Sequence, residues 1–221
     1  MSVWAVLAAA GSGARLGAEQ PKAFVRLGEL PMLAESLGRL EASDWIDQIV
    51  VAVPPGWEEP AILLAEEIGC GKCSASVTGG VTRAASVRLA LAEVPDDAAV
   101  VLVHDAARPL LPDEVIERVL APLSEGWDGV VPGLPVADTL KRVDGDGAVA
   151  ETVSRDGLWA VQTPQAFPAG VLRAAAADGR DGTDCASLVE ARGGRVKVVQ
   201  GDPRLLKVTT ADDLAKIASW L

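Results

Sequence analysis

VWAVLAAAGSGARLG, Val3 to Gly17, is an apolar run that stops at three alanines and gives way to glycines and an arginine. The run is apolar at consecutive positions, not alternate ones. That suits a strand buried on both faces of a parallel sheet. A second run of this kind is AAVVLVHDAA, Ala98 to Ala107. Around these two, short β-rich runs alternate with helix-like segments. The pattern predicts strands at Val3–Ala8, Gln48–Val53, Ala75–Thr78, Ala98–His104, Gly129–Val131 and Val196–Val199. Helices are predicted over Met32–Leu40, Glu58–Ile68, Arg83–Glu93, Pro112–Leu120, Gly170–Ala177, Ala186–Ala191 and Ala211–Trp220. Such alternation implies an α/β fold, Rossmann-like, with a mostly parallel sheet, helices on both faces and right-handed crossovers. The 221 residues are expected to form one domain.

One stretch breaks the alternation. Leu134 to Gly157 reads LPVADTLKRVDGDGAVAETVSRDG. Two polar, alternating segments flank a DGDG turn, which is a hairpin signal. The hairpin is too polar for a core. It reads as an exposed element or as an arm that reaches over a second subunit.

Composition narrows the function. Charged residues make up 23% and the net charge is −11. Nucleic acid and anionic membrane surfaces need basic patches, so neither is an expected partner. No run approaches the ~18 apolar residues of a membrane span, and no signal peptide is evident. Three cysteines, an odd number, argue against a disulfide framework and fit a reducing cytosol. Cys70 and Cys73 form a CxxC, but a zinc site wants four ligands and the chain offers one more cysteine and one histidine. The pair reads as two small residues around a turn.

GSGARLG follows a predicted strand, as a dinucleotide fingerprint does. Its spacing is G-x-G-x-x-x-G, no acidic partner is clear further on, and no GK[ST] ending follows. Glycine loops nevertheless let backbone N–H groups approach an anion closely. Arg15 lies inside the loop and Lys22 follows in QPKAF, seven residues on. Two cations presented from one loop can clamp a triphosphate that this acidic chain would otherwise repel. The second strand ends at His104 and Asp105, with Arg108 shortly after. Ligands of open α/β sheets bind beyond the carboxyl ends of strands, where Asp105 could coordinate Mg²⁺. His104 reads as a packed strand-end residue.

These residues carry a resemblance. LAAAGSGARLG with QPKAF is similar to the signature of sugar-phosphate nucleotidylyltransferases. GGVTRAASV, VLVHDAARP, PVADTLKRV, SRDGLWAVQTPQAF, TDCASLVE and LLKVTTADDL extend it over nearly the whole chain. Within that group the chain resembles the 2-C-methyl-D-erythritol 4-phosphate cytidylyltransferase family. The resemblance implies a Mg²⁺-dependent reaction of CTP with methylerythritol phosphate, giving a CDP-alcohol and pyrophosphate in the cytosol. It implies that Arg15 and Lys22 hold the triphosphate and that Asp105 binds the metal. Backbone at Ala9, Ala10, Gly11, Gly79, Gly80 and Ala106, with the Ser86 hydroxyl, would bind the nucleotide. Thr139 and Arg155 on the arm would reach the acceptor bound by a partner subunit, so a homodimer is implied. Arg108, Thr163 and Lys207 would complete the phosphate pocket, Lys207 as a catalytic cation beside Arg155.

The chain departs from the family pattern at Val81 and Cys185, where acidic or polar residues are usual, and at Leu205. Asp202 lies near the last of these but out of register. Three other readings fit parts of the sequence. They are a cytidylyltransferase for another alditol phosphate such as ribitol 5-phosphate, a non-catalytic nucleotide-binding module, and a dehydrogenase. The retained cations weigh against the second, and the missing third glycine against the last.

Overall fold

A computed structural model describes residues 2–13, 16–17 and 20–221. Its strands are β1 (Val3–Ala8), β2 (Arg26–Leu27), β3 (Leu30–Pro31), β4 (Gln48–Val53), β5 (Cys73–Thr78), β6 (Val100–Asp105), β7 (Gly129–Pro135), β8 (Leu140–Val143), β9 (Val149–Val153), β10 (Trp159–Val161), β11 (Gln165–Pro168) and β12 (Val196–Gln200). The helices are α1 (Met32–Glu41), α2 (Glu58–Glu67), α3 (Arg83–Leu91), α4 (Asp113–Leu120), α5 (Ala169–Ala177), α6 (Cys185–Glu190) and α7 (Ala211–Ala218).

The sheet centre is parallel, in the order β6–β1–β4–β5. β11 then pairs antiparallel with β6, and β7 takes β11 and β10 antiparallel and β12 parallel. The mostly parallel α/β sheet is therefore as expected. β10 and β11 are additions: WAVQTPQAF carries no clear strand pattern. Both are short, and Pro164 interrupts the run between them.

Pleating divides the core in two. Ala5, Leu7, Ile49, Val51, Val53 and Leu102 face one side, where α1, α2 and α4 cover them with Leu33, Leu37, Ala61 and Ile116. Val6, Val50, Ala52, Val101 and Val103 face the other, under α3, α5 and α6 through Val87, Leu91, Leu172 and Leu188. All six residues of β6 are buried. A strand covered on both faces has no need of polar alternation, which is why β1, β4 and β6 read as continuous apolar runs.

Local chemistry sets the element ends. α3 begins where the Thr82 side chain accepts from the Ala85 N–H, and α6 where Asp184 accepts from Ser187 N–H. α7 carries a reciprocal capping box between Thr210 and Asp213. The expected hairpin is β8 and β9, a two-stranded sheet of its own. Asp144 Oδ1 accepts from the N–H groups of Asp146 and Ala148 and closes its turn.

Candidate functional site

The sheet order reverses at β1. The chain runs outward through β4 and β5 and returns to β6 on the other side of β1. Loops leaving β1 and β6 therefore diverge, and a crevice opens between them at the carboxyl ends of the strands. A cavity of about 500 Å³ occupies this place, within the ~300–1,000 Å³ usual for small-molecule sites. Ala8 to Gly13, Lys22, Gly80 to Arg83, Ser86, Asp105 to Ala107, Lys207 and Thr209 line it.

Close backbone approach shapes the walls. The Gly79 N–H donates to Val53 O at 2.6 Å. A Cβ on Gly79 would lie 2.4 Å from the Ala10 Cβ and 2.9 Å from Ser86 Oγ, so no larger residue fits there. Gly13 has φ +70°, and a Cβ on it would meet the Lys22 Cβ at 2.9 Å. The glycine loop thus folds back against Lys22, and the Lys22 N–H donates to Gly11 O at 3.3 Å. Phe24 anchors this segment by packing against the Trp57 ring at a tilt of 46°, centroids 4.4 Å apart. Ser86, nearly buried, accepts from the Gly80 N–H at 3.0 Å and donates to Thr82 O at 2.9 Å. Its hydroxyl holds the glycine turn while its atoms line the cavity.

Asp105 forms the charged floor. Arg83 Nε donates to its Oδ1 at 2.8 Å and Lys207 Nζ to its Oδ2 at 2.7 Å. Burial works to raise the Asp105 pKa, but Arg83 and Lys207 outweigh it and hold the carboxyl well below the usual carboxylate range. Burial likewise opposes the Arg83 charge, and Asp105 outweighs it and raises the Arg83 pKa above the ordinary arginine value. Lys22, Arg83 and Lys207 set three cations against one carboxylate around the cavity. In a chain of net charge −11, that is a local reversal of sign, and it suits an anionic ligand.

Behind the floor lies a neutral network. The Asp105 N–H donates to Thr163 Oγ1 at 3.1 Å, and Thr163 Oγ1 meets His104 Nδ1 at 3.0 Å. His104 Nε2 lies 3.0 Å from Arg108 O. A carbonyl can only accept, so Nε2 carries the proton and Nδ1 accepts from the Thr163 hydroxyl. Burial lowers the His104 pKa to about 4, which keeps the ring uncharged. The ring packs at the strand end, as expected, and supports the backbone of Asp105.

The structure gathers Ala9, Ala10, Gly11, Lys22, Gly80, Ser86, Asp105, Ala106 and Lys207 around the cavity, with Gly79 packed behind its wall. Thr163 lies beneath the floor. Arg108 turns aside: its guanidinium donates to Leu205 O, and burial lowers its pKa. Thr139 and Arg155 are exposed on and beside the arm, and neither lines the cavity. Asp202 pairs with Arg204 and caps the turn at Pro203–Leu205. Arg15 lies outside the described residues. Nothing in the sequence alone singles out Arg83. It lies inside GGVTRAASV, and the signal that could have found it is its place at the first turn of α3, across from the end of β6.

The CxxC pair is structural. Burial pushes the Cys70 thiol up to about 12 and that of Cys73 up to about 11. All three cysteines are free. Among the described residues, no three His, Cys, Asp or Glu gather as a metal site, and no helix is long and apolar enough to cross a membrane.

Comparison with known proteins agrees on one family. The model of the 2-C-methyl-D-erythritol 4-phosphate cytidylyltransferase family matches residues 3–221. A protein of that name from Saccharopolyspora erythraea is 49% identical, the match covering 97% of each chain. One from Nocardia farcinica is 47% identical over 96% of this chain and 91% of that one. The crystal structure of the Thermus thermophilus enzyme superposes with a TM-score of 0.80 at 33% identity, covering 97% of this chain and 96% of that one. With the cavity at the β1/β6 reversal and a family match that spans almost every residue, this chain belongs to the 2-C-methyl-D-erythritol 4-phosphate cytidylyltransferase family.

Proposed function

We propose that the protein transfers CMP from CTP to 2-C-methyl-D-erythritol 4-phosphate, releasing pyrophosphate. The observation that carries this reading is the cluster of Lys22, Arg83 and Lys207 around a single ionised carboxylate, Asp105, beside a tight glycine loop. The acceptor is a phosphate monoester with a second pKa of about 6, so its attacking oxygen is already anionic near neutral pH. No general base is needed, and the one histidine, buried and neutral, supplies none. An acceptor oxygen bonds to the α-phosphorus of CTP, the bond from that phosphorus to the bridging oxygen breaks, and pyrophosphate leaves with the electron pair. What the chain must do is bring two anions together and stabilise charge as it shifts to the leaving group. Lys22 and Lys207, with Arg15 from the glycine loop, are the cations for that task.

A divalent metal fits the donor set in one form. Mg²⁺ is usually held by one or two carboxylates together with substrate phosphates. Asp105 is one ionised carboxylate at the cavity floor, and its Oδ2 partner, Lys207, is 44% exposed in its side chain. Asp105 would hold Mg²⁺ that arrives with the nucleotide, and the ion would neutralise phosphate charge.

The arm supports a homodimer. Thr139 and Arg155 lie away from the cavity in their own chain, so they serve a substrate only across a subunit boundary. Near the base of the arm Leu158, Trp159, Val161 and Val198 are exposed. Trp159 and Val198 both close on Gly133, which gathers them on one part of the sheet. A cluster of this kind marks an interaction surface. The free thiols fit a cytosolic location.

The test is pyrophosphate release with Mg²⁺ and CTP, comparing methylerythritol 4-phosphate with ribitol 5-phosphate. Release with the first alone is the expected result. Release with ribitol phosphate alone would keep the chemistry and reassign the acceptor. Release with neither would overturn the reading.

A further inference from the structure

The two oxygens of Asp105 are held unequally. Oδ1 accepts from Arg83 Nε at 2.8 Å, and Arg83 Nη2 lies 2.8 Å from the same oxygen as an ion-pair contact. Oδ2 receives only Lys207 Nζ, at 2.7 Å. The Arg83 side chain is 23% exposed, that of Lys207 44% and that of Asp105 8%. The buried partner and the exposed partner therefore sit on different oxygens.

Arg83 is also braced. It is the first residue of α3, directly after the Thr82 cap. Its Nη1 lies 3.4 Å from Sγ of Cys185, the buried first residue of α6. The N–H groups of Cys185 and Ala186 both donate to Gln165 Oε1, at 3.1 Å and 3.2 Å. Gln165 stands opposite Val103 on β6, two residues before Asp105. The guanidinium is thus clasped between α3, α6 and the strand that carries its carboxylate. Lys207 sits on the segment ahead of α7, lines the cavity and reaches Asp105 through a four-carbon stem.

We infer that Arg83 is a positioning residue: it fixes Asp105 through Oδ1 so that Oδ2 stays directed to an exchangeable partner. This rests on the reading that the cavity binds CTP. In the free protein the exchangeable partner is Lys207. When a triphosphate enters, Lys207 can turn to the phosphates, because Arg83 keeps the carboxylate in place. Without the Arg83 guanidinium, Lys207 becomes the sole partner of the Asp105 carboxylate, and the carboxylate follows it. Lysine cannot replace the guanidinium, since an ammonium offers a point charge and not a planar fork.

Arg83 also lines the cavity, so the rival account is direct contact with phosphate. A double-mutant cycle separates the two, because residues acting through one another do not add. The full chain is made as wild type, Arg83→Lys, Asp105→Asn and the double variant. Pyrophosphate release gives kcat and KM for CTP, and thermal unfolding is recorded for each. Arg83→Lys is expected to lower kcat about 100-fold, the scale of an ångström-level misplacement. KM for CTP should stay within about threefold of wild type, as for an interaction that serves turnover and not ground-state binding. The double variant should be no more than about threefold slower than Asp105→Asn alone. Should Arg83→Lys unfold well below wild type, Arg83→Gln, which keeps a planar N–H donor, takes its place in the cycle. Multiplying losses in the double variant would overturn the inference in favour of direct phosphate contact. So would an unimpaired Arg83→Lys in an active background. A wild-type chain that releases no pyrophosphate would instead overturn the CTP reading, and the inference with it.

Discussion

The cavity floor and the arm hold their charged residues in opposite ways. At the floor the buried groups partner one another within the chain: Asp105 has Arg83, Lys207 and Thr163, and Thr163 has His104. Asp105, Thr163 and His104 are buried, and a buried charge such as that of Asp105 would cost several kcal/mol without such partners. On the arm, β8 and β9 pair only with each other, and their residues are exposed or half-buried. Its ion pair, Arg142 with Glu151, has both side chains more than half exposed and stabilises little. The floor is completed by its own fold. The arm places Lys141, Arg142, Glu151 and Thr152 on a ribbon that its own chain does not cover, as the proposed second copy would require.

The largest expected effect lies on the cavity side. Lys22→Ala should lower kcat by about 100- to 1,000-fold, the usual loss when one stabilising group is removed from a transition state. The circular dichroism spectrum should not change. Normal turnover in the purified variant would detach the glycine loop from the chemistry. On the arm side, Arg155→Ala should raise KM for methylerythritol phosphate by about tenfold or more, the scale of one charge-assisted hydrogen bond. KM for CTP should move little. If CTP binding weakens alone, the arm does not serve the acceptor and the contrast between the two regions fails.

A smaller effect probes the neutral network beneath the floor. The folded pKa of His104, about 4, lies below the unfolded value of 6.5. A base with a depressed folded pKa contributes its full stability above the unfolded pKa. That stability is lost as pH falls from 6.5 toward 4. At pH 5 the loss is about 2 kcal/mol relative to pH 8. Urea unfolding at the two pH values measures it, and His104→Gln should remove that part of the difference. An unchanged pH dependence in the variant would mean that His104 is not held neutral by burial.

The two regions were not equally legible in the sequence. β1, β4 and β6 showed themselves because strands buried on both faces need continuous apolar residues, and that pattern survives in one dimension. The arm showed itself through DGDG between alternating polar segments. β10 and β11 did not, because three- and four-residue strands around Pro164 carry too little pattern. Lys22 and Asp105 could be found because each follows a strand end or a glycine loop. Arg83 could not, because its importance comes from a partner 22 residues away that only the crossover from β5 through α3 to β6 brings within reach. The turned-aside guanidinium of Arg108 is the converse case: HDAARP suggests a pocket cation, and the packing of Leu205 decides where it points.

The smallest expected effect is the sharpest test of the contrast, because it uses one substitution in both places. Val101 lies in the middle of β6 with no exposure, and Val149 lies on β9 with 60% exposure. Threonine has nearly the shape of valine and the same preference for strands, so a Val→Thr change mainly adds a hydroxyl. At Val101 that hydroxyl must be buried between β6 and the α3–α5 layer, which costs about 1–3 kcal/mol. At Val149 it meets water, and the change in unfolding free energy should stay within about 0.5 kcal/mol. Urea unfolding at protein concentrations low enough to keep the chain monomeric gives both numbers. Sedimentation of Val149→Thr at higher concentration then asks whether the proposed second copy covers the arm. If Val149→Thr destabilises the monomer as much as Val101→Thr, the arm packs within its own chain, and a second subunit is no longer needed to explain it.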